Sequence, residues 1–216
     1  MKNKIVICDW GGVIESHTPG EYNTHTAIIN IFHRLKSTLS DEQILENYIS
    51  CDQDEDGKII SEVNQLEEIK LWFYRIKEKI NINCSFEEFC KIYEEEFQKV
   101  NFYKEVVQFI HSLKDKCYIG ILSNLGYLDK KRIDYQVDFK KFDYIWLSFE
   151  LECQKPDYKI YEIVENQCNL NPKYILLIDD TKENIEMAEK RGWNTCQAFG
   201  YELDKIKESI LDFLQK

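Results

Sequence analysis

The sequence lacks the features that mark membrane, secreted and nucleic-acid-binding proteins. Its longest apolar runs fall far short of a membrane span, and its opening MKNKIVICDWGG has too short an apolar core for a signal peptide. Acidic residues outnumber basic ones 39 to 28, and the formal net charge of −11 argues against nucleic acid or an anionic membrane as a main partner. None of the eight cysteines forms a C-x-x-C pair. These absences predict a cytoplasmic protein with reduced thiols.

Internal repeats, low-complexity tracts and linkers rich in Pro, Gly or Ser are also absent. The 216 residues are enough for one full domain and a smaller insertion. Short apolar runs that end in polar or small residues are the main structural signal. They are KIVICD (4–9), CYIGILSN (117–124), FDYIWLSFE (142–150), KYILLIDD (173–180) and NTCQAFG (194–200).

Apolar runs without polar alternation are typical of strands buried on both faces of a parallel sheet. Helical patterns lie between the later runs. One is expected to hold Pro156 in its first turn, and another to end at Gly192. Alternation of strands and helices predicts an α/β fold with a doubly wound parallel sheet.

The segment 16–100 has a different pattern, with amphipathic helical stretches and little strand signal. We therefore predict that an all-helical domain of residues 16–100 is inserted after the first strand. The α/β core domain is then discontinuous and consists of residues 1–15 and 101–216.

Ligands of an open parallel sheet bind outside the carboxyl ends of its strands. The predicted strands and their following segments deliver these polar side chains to that edge: Asp9, Ser123, Asn124, Lys155, Asp179 and Asp180. Three carboxylates brought together need a positive partner, and a hard divalent cation such as Mg²⁺ suits oxygen ligands. Ser123 and Lys155 would then contact phosphate oxygens, and Asp9 would attack phosphorus in line.

These residues lie in four segments that resemble, in order, the motifs of the haloacid dehalogenase (HAD) superfamily of hydrolases. The segments are IVICDWGGVI, IGILSN, QKPDYKIY and ILLIDDTKENIEMAEKRGW. The resemblance implies a Rossmann-like core with a helical cap between the first and second motifs, which residues 16–100 match. It also implies a Mg²⁺-dependent phosphatase that acts on a small phosphorylated metabolite, as a monomer or homodimer.

The family's site residues carry over to matching positions of this chain. By resemblance, Asp9 is the nucleophile, and Ser123 and Lys155 bind phosphate. The metal ligands are Asp9, the backbone carbonyl of Gly11, and Asp180, with Asp179 and Asn184 in support. We also expect Trp10 and Asn124 to contact the substrate.

Position 11 departs from the pattern of most family phosphatases, which have there a second aspartate that protonates the leaving oxygen. Loss of such acid–base assistance typically costs about 10²–10⁴-fold in rate. Gly11 therefore predicts a substrate with a good leaving group, such as an anomeric sugar phosphate or an acyl phosphate, or an acid from elsewhere. Candidates for that acid are Glu15, His17 and His25. Aspartate–x–Gly–x–Val sequences also resemble a bacterial branch of sugar-phosphate phosphatases.

Two other kinds of function stay open: hydrolysis at a carbon atom, for which two enzymes are models, and binding without turnover. Haloacid dehalogenases also lack the second aspartate, but they need no Mg²⁺ and replace the acidic pair by small polar residues. Phosphonoacetaldehyde hydrolase has a similar first motif, Asp-Trp-Ala-Gly, but needs a cap lysine, for which this chain offers Lys58. The last alternative is a binding module that keeps the fold without turnover.

Residues 52–63, DQDEDGKIISEV, resemble a calcium-binding EF-hand loop. The glutamate needed at the last loop position is replaced by Val63. We therefore predict that this segment is a turn between two cap helices.

Overall fold

A computed structural model describes residues 2–53, 66–130, 133 and 137–216. Five strands form one sheet: β1 Ile5–Cys8, β2 Tyr118–Ser123, β3 Tyr144–Leu147, β4 Ile175–Asp179 and β5 Asn194–Gln197. Their order in the sheet is β3-β2-β1-β4-β5, and every pair of neighbours is parallel. The prediction of a parallel α/β sheet is therefore confirmed.

In chain order, the helices with described bounds are α1 Thr24–Arg34, α2 Asp41–Cys51, α3 Leu66–Lys79, α4 Phe86–Phe97, α5 Lys104–Ser112, α6 Ser148–Leu151, α7 Tyr158–Cys168, α8 Lys182–Lys190 and α9 Leu203–Gln215. Short 3₁₀ segments span Phe139–Lys141 and Pro172–Tyr174. Among the described residues, no helix is long and apolar enough to cross a membrane.

Alternate residues of the central strand β1 belong to two different hydrophobic clusters. Val6 and Cys8 pack in the cluster that contains apolar residues of α5 and α9. Ile5 and Ile7 pack in the cluster that contains apolar residues of α7. Because successive side chains of a strand point to opposite faces, the sheet is covered on both sides, as a doubly wound fold requires.

Helices α1 to α4 all lie between the first and second strands of the chain and share a hydrophobic cluster of their own. Large aromatic residues dominate it, and the ring of Phe89 contacts the rings of both Trp72 and Phe73. Side-chain caps at Asn23, Ser40 and Ser85 begin three of these helices. The separate cluster supports the predicted domain boundaries after residues 15 and 100. These boundaries stay a prediction.

Two local expectations are wrong. Helix α7 begins at Tyr158, two residues after Pro156, so the proline precedes the helix instead of lying in its first turn. The apolar run 142–150 is a strand only up to Leu147. Ser148 starts α6 because its hydroxyl bonds the backbone N–H of Leu125 at 3.0 Å, which ties the chain to the segment after β2. The expected end of α8 is correct, since Gly192 follows it with φ +82°.

Candidate active site

The order of the strands places three motif residues side by side at one edge of the sheet. Cys8, the last residue of β1, is in register with Ile121 of β2 and Ile178 of β4. Asp9 follows β1 directly, and its backbone N–H donates to the carbonyl of Ile178 at 2.9 Å. The neighbouring strands end at Ser123 and Asp179. Asp9 therefore meets residues more than a hundred positions away in the sequence at the carboxyl ends of the central strands.

One oxygen of the Asp9 carboxylate, Oδ1, accepts all the hydrogen bonds that described residues donate to this side chain. Oδ1 accepts from the Ser123 hydroxyl at 2.7 Å and from the Trp10 backbone N–H at 2.6 Å, and it lies 3.0 Å from Lys155 Nζ. Oδ2 accepts none from the part of the chain that the structure describes. The carboxylate is thus fixed through one oxygen, and the lone pairs of the other are available.

Lys155 is held from both ends. Its ammonium lies 2.5 Å from Asp179 Oδ2 and 3.0 Å from Asp9 Oδ1, with the side chain only 1% exposed. Its backbone N–H donates to Asn124 Oδ1 at 2.8 Å, and its carbonyl accepts from Asn124 Nδ2 at 2.9 Å. Asn124, expected as a substrate contact, therefore positions the lysine, and it also lines the cavity described below.

The acidic pair after β4 consists of two carboxylates in different surroundings. Asp179 is fully buried and accepts from the Thr181 backbone N–H at 2.9 Å and from Asn184 Nδ2 at 3.1 Å. Asp180 is partly exposed, and Gly12 packs directly against it. Gly12 has φ +71°, and a Cβ atom there would lie 2.5 Å from Asp180 Oδ2. Only glycine fits this turn beside the carboxylate.

Ligand oxygens of Asp9, Asp179 and Asp180 lie within 4.8 Å of one another. Burial raises the pKa of Asp9 to about 7, and nearby Asp179 adds to the rise while Lys155 opposes it. Burial also raises the pKa of Asp180, with a further contribution from Asp179. Burial alone would lower the pKa of Lys155, but Asp179 and Asp9 outweigh it and raise that pKa, so the ammonium keeps its charge.

Position 11 has no side chain, and the ring of His17 lies over it. A Cβ atom built on Gly11 would be 3.6 Å from His17 Cε1 and 3.7 Å from Nε2, which is ordinary van der Waals contact. No other described residue comes within 4 Å of that point, its chain neighbours aside. Of the three candidate acids, Glu15 instead bonds Trp10 Nε1 and Thr24 Oγ1, at 3.0 and 2.9 Å.

A cavity of about 290 Å³ lies between the Asp9 loop and helices of the inserted segment. Trp10, Gly11, His17 and Asn124 line the part of the cavity next to the motif residues, although Trp10 itself is fully buried. The described residues of its other walls are Glu15, Thr24, Ile28, Tyr48, Ile49, Asp52, Tyr93, Phe97, Leu125 and Asp129. Residues 54–63 of the EF-hand-like segment, including Lys58, lie outside the described residues.

Several residues of the site carried no recognisable signal in the sequence. Tyr93 donates a hydrogen bond to Asp129 at 3.0 Å across the cavity wall, and the two belong to segments 36 residues apart. Tyr103 contacts Ser16 and Thr18 on either side of His17. The paired glycines of DWGG were the one sequence signal in this region, since they indicate a turn after Asp9.

The chain is similar to known proteins in sequence and in fold. The sequence model of haloacid dehalogenase-like hydrolases matches residues 22–198, a range that starts after Asp9 and includes the other three motifs. No curated protein is similar enough to match. A HAD family enzyme from Bacteroides thetaiotaomicron, solved with magnesium and inorganic phosphate, is similar in structure with a TM-score of 0.67. It is 18% identical, and the alignment covers 89% of this chain and 92% of that one.

Two further solved structures share the fold. One is a HAD-like family hydrolase from Porphyromonas gingivalis, with TM-score 0.66, 17% identity and 93% coverage of both chains. The other is the L-2-haloacid dehalogenase from Xanthobacter autotrophicus, with TM-score 0.59, 13% identity, and coverage of 90% of this chain and 76% of that one. At these identities, the similarity establishes the fold alone.

Proposed function

Because this chain belongs to the family of haloacid dehalogenase-like hydrolases, we propose that it is a Mg²⁺-dependent phosphatase of a small phosphorylated metabolite. The observation that carries the proposal is the cluster of Asp9, Asp179 and Asp180 around the buried ammonium of Lys155. Such a cluster combines a nucleophile, a cation for phosphate oxygens and ligands for a metal.

The donor set fits Mg²⁺. Three carboxylates and one ammonium have a net charge of about −2 when ionised, and the raised pKa values of Asp9 and Asp180 reflect the cost of burying that charge. Asp9, Asp180 and the carbonyl of Gly11 would hold the ion, while Asp179 supports the site by binding Lys155. Mg²⁺ bound there would neutralise phosphate oxygens and orient the phosphate. The structure solved with magnesium and phosphate gives independent support.

Asp9 would act as the nucleophile through Oδ2, the oxygen that receives no hydrogen bond from described residues. Attack on phosphorus forms an aspartyl-phosphate and breaks the bond to the leaving oxygen, which keeps the electron pair and acquires a proton. Water then attacks phosphorus, the bond to Asp9 breaks, and inorganic phosphate leaves. Ser123 and Lys155, which both contact Asp9 Oδ1, would bind the phosphate oxygens.

The missing side chain at Gly11 favours leaving groups that depart with little help, so sugar 1-phosphates and acyl phosphates are the preferred substrate classes. A cavity of about 290 Å³ suits a small metabolite. Dehalogenation is the second candidate, since an L-2-haloacid dehalogenase has the same fold. Against it, the acidic pair after β4 is intact and adjoins Asp9.

Phosphate release from sugar 1-phosphates, acyl phosphates and alkyl phosphates, measured with Mg²⁺ and with EDTA, tests the proposal. Asp9→Asn is the control, and halide release from 2-chloropropionate is measured in parallel. We expect phosphate release that needs Mg²⁺ and Asp9. Halide release without phosphate release would favour the dehalogenase. The absence of both reactions, together with no Mg²⁺-dependent binding of beryllium fluoride, would favour a binding module.

A further inference from the structure

The imidazole of His17 occupies the space beside Gly11 into which a side chain at position 11 would point. The distance of 3.6 Å between His17 Cε1 and the built Cβ atom shows that the ring lies against this face of the loop. The ring also lines the cavity that extends from Gly11 and Asn124 to the inserted helices. His17 is therefore part of the wall between the phosphate-binding end of the site and the space left for the rest of the substrate.

The backbone around His17 is fixed on both sides by one tyrosine. Tyr103 Oη lies 2.8 Å from Thr18 Oγ1 and 3.2 Å from Ser16 Oγ, so both neighbours of His17 contact the same hydroxyl. The Ser16 backbone N–H also donates to the Asn101 carbonyl at 2.8 Å. These bonds restrain the segment and with it the direction from which the imidazole reaches the cavity.

Phosphoryl transfer requires the attacking and leaving oxygens to lie roughly in line on opposite sides of phosphorus. With Asp9 as the nucleophile, the leaving oxygen would lie on the side of phosphorus away from Asp9, and the cavity lined by Gly11, His17 and Asn124 offers space for it. The His17 side chain is 41% exposed, and its Nδ1 is 4.0 Å from Asp180 Oδ2, beyond hydrogen-bonding distance. No described residue holds the ring in a short hydrogen bond.

We propose that His17 contacts the leaving group of the substrate, in the place that a side chain at position 11 would otherwise take. The inference rests on the proposed phosphatase function. An imidazole N–H donates a hydrogen bond to the leaving oxygen, a role that needs the ring hydrogen on Nε2, the nitrogen that lies beside Gly11. The bond strengthens as negative charge develops on that oxygen, so it matters more for a poor leaving group than for a good one.

The test compares His17→Ala and His17→Gln with the unaltered chain on two aryl phosphates, 4-nitrophenyl phosphate as the good leaving group and phenyl phosphate as the poor one. His25→Ala is the matched control, since His25 shares a neighbouring pocket with His17 but does not reach Gly11. Both kcat and KM are measured. Binding of beryllium fluoride with Mg²⁺ reports whether each variant keeps its fold and its phosphate site.

We expect His17→Ala to lower kcat for phenyl phosphate by about tenfold to a hundredfold more than for 4-nitrophenyl phosphate. His17→Gln, which keeps a donor, should recover part of the difference, and His25→Ala should match the unaltered chain. Equal losses on both substrates, or no loss on either, would overturn the inference. If His17→Ala does not fold, the same comparison for His17→Phe, which keeps a ring but has no donor, decides. No phosphate release by the unaltered chain from these two esters or from the sugar, acyl and alkyl phosphates, even with Mg²⁺, would instead refute the proposed function.

Discussion

Gly11→Asp should convert this site to the usual pair of aspartates and raise its rate on substrates with poor leaving groups. Gly11 does not lie in the left-handed region of φ, so its backbone admits a side chain without strain. Of the described residues outside its chain neighbours, the first atom of that side chain would meet only the ring of His17, at 3.6 Å. The substitution also restricts the unfolded chain, which favours the folded state by about 0.4–1 kcal/mol.

The size of the gain follows from what a positioned acid supplies. General acid–base assistance is typically worth about 10²–10⁴-fold, or about 2.7–5.4 kcal/mol of activation free energy. We expect only about tenfold to a hundredfold for phenyl phosphate in the unaltered background, because His17 already occupies the space beside position 11. The gain should be larger when Gly11→Asp is combined with His17→Ala, since the new carboxylate then enters vacated space. The two changes should therefore be non-additive.

The assay is steady-state phosphate release with Mg²⁺ from phenyl phosphate and 4-nitrophenyl phosphate. Gly11→Asn is the matched control, because it has nearly the same shape and no acidic proton to donate. A gain larger for Gly11→Asp than for Gly11→Asn, and larger for the poorer leaving group, is the expected result. A folded Gly11→Asp variant that binds Mg²⁺ and beryllium fluoride but gains less than about threefold on phenyl phosphate would refute the reasoning. An equal gain from Gly11→Asn would do the same.

Three further predictions concern the rest of the site. Asp9→Asn should lower kcat for every phosphate ester by about 10³-fold or more. Its melting temperature should stay close to that of the unaltered chain. Turnover close to that of the unaltered chain would exclude Asp9 as the nucleophile. Lys155→Met leaves Asp9 and Asp179 buried without their cation and should lower the free energy of unfolding by about 3–5 kcal/mol in EDTA, measured with urea. Added Mg²⁺ should recover part of that loss, and an unchanged urea midpoint would contradict the ion-pair assignment. Gly12→Ala puts a methyl group 2.5 Å from Asp180 Oδ2, so the carboxylate must move. Mg²⁺ affinity, measured by calorimetry, should fall at least about tenfold. An unchanged affinity would argue against Asp180 as a metal ligand.

Much of the fold follows from the order of the apolar runs. Strands buried on both faces need continuous apolar sequence, so each run stands out from the amphipathic helices beside it. The exact ends were harder to predict. At Ser148, a side-chain hydrogen bond to Leu125 turns the chain into α6 although the apolar pattern continues to Phe149. Such a contact depends on a partner 23 residues away and leaves no local pattern.

In the candidate site too, some residues could be predicted from the sequence and others could not. Its motif residues could be chosen from the sequence because strand ends converge in any parallel sheet, whatever the loops do. Asp9 and Asp179 are therefore neighbours by topology, whereas Lys155, which follows the edge strand β3 and helix α6, is held beside them by its backbone bonds to Asn124. The choice among Glu15, His17 and His25 could not be made in this way, because all three lie in or near the irregular segment after β1.

By itself, the sequence determined the sheet, the strands that carry the chemistry and the absence of a side chain at position 11. Only the tertiary structure placed His17 against that position, and it did so through Tyr103, which follows 86 residues later in the chain. The physical reason is the separation along the chain of the residues that interact. Hydrophobic periodicity is a local property and can be read along the chain, whereas the direction of a loop side chain is set by hydrogen bonds to distant residues.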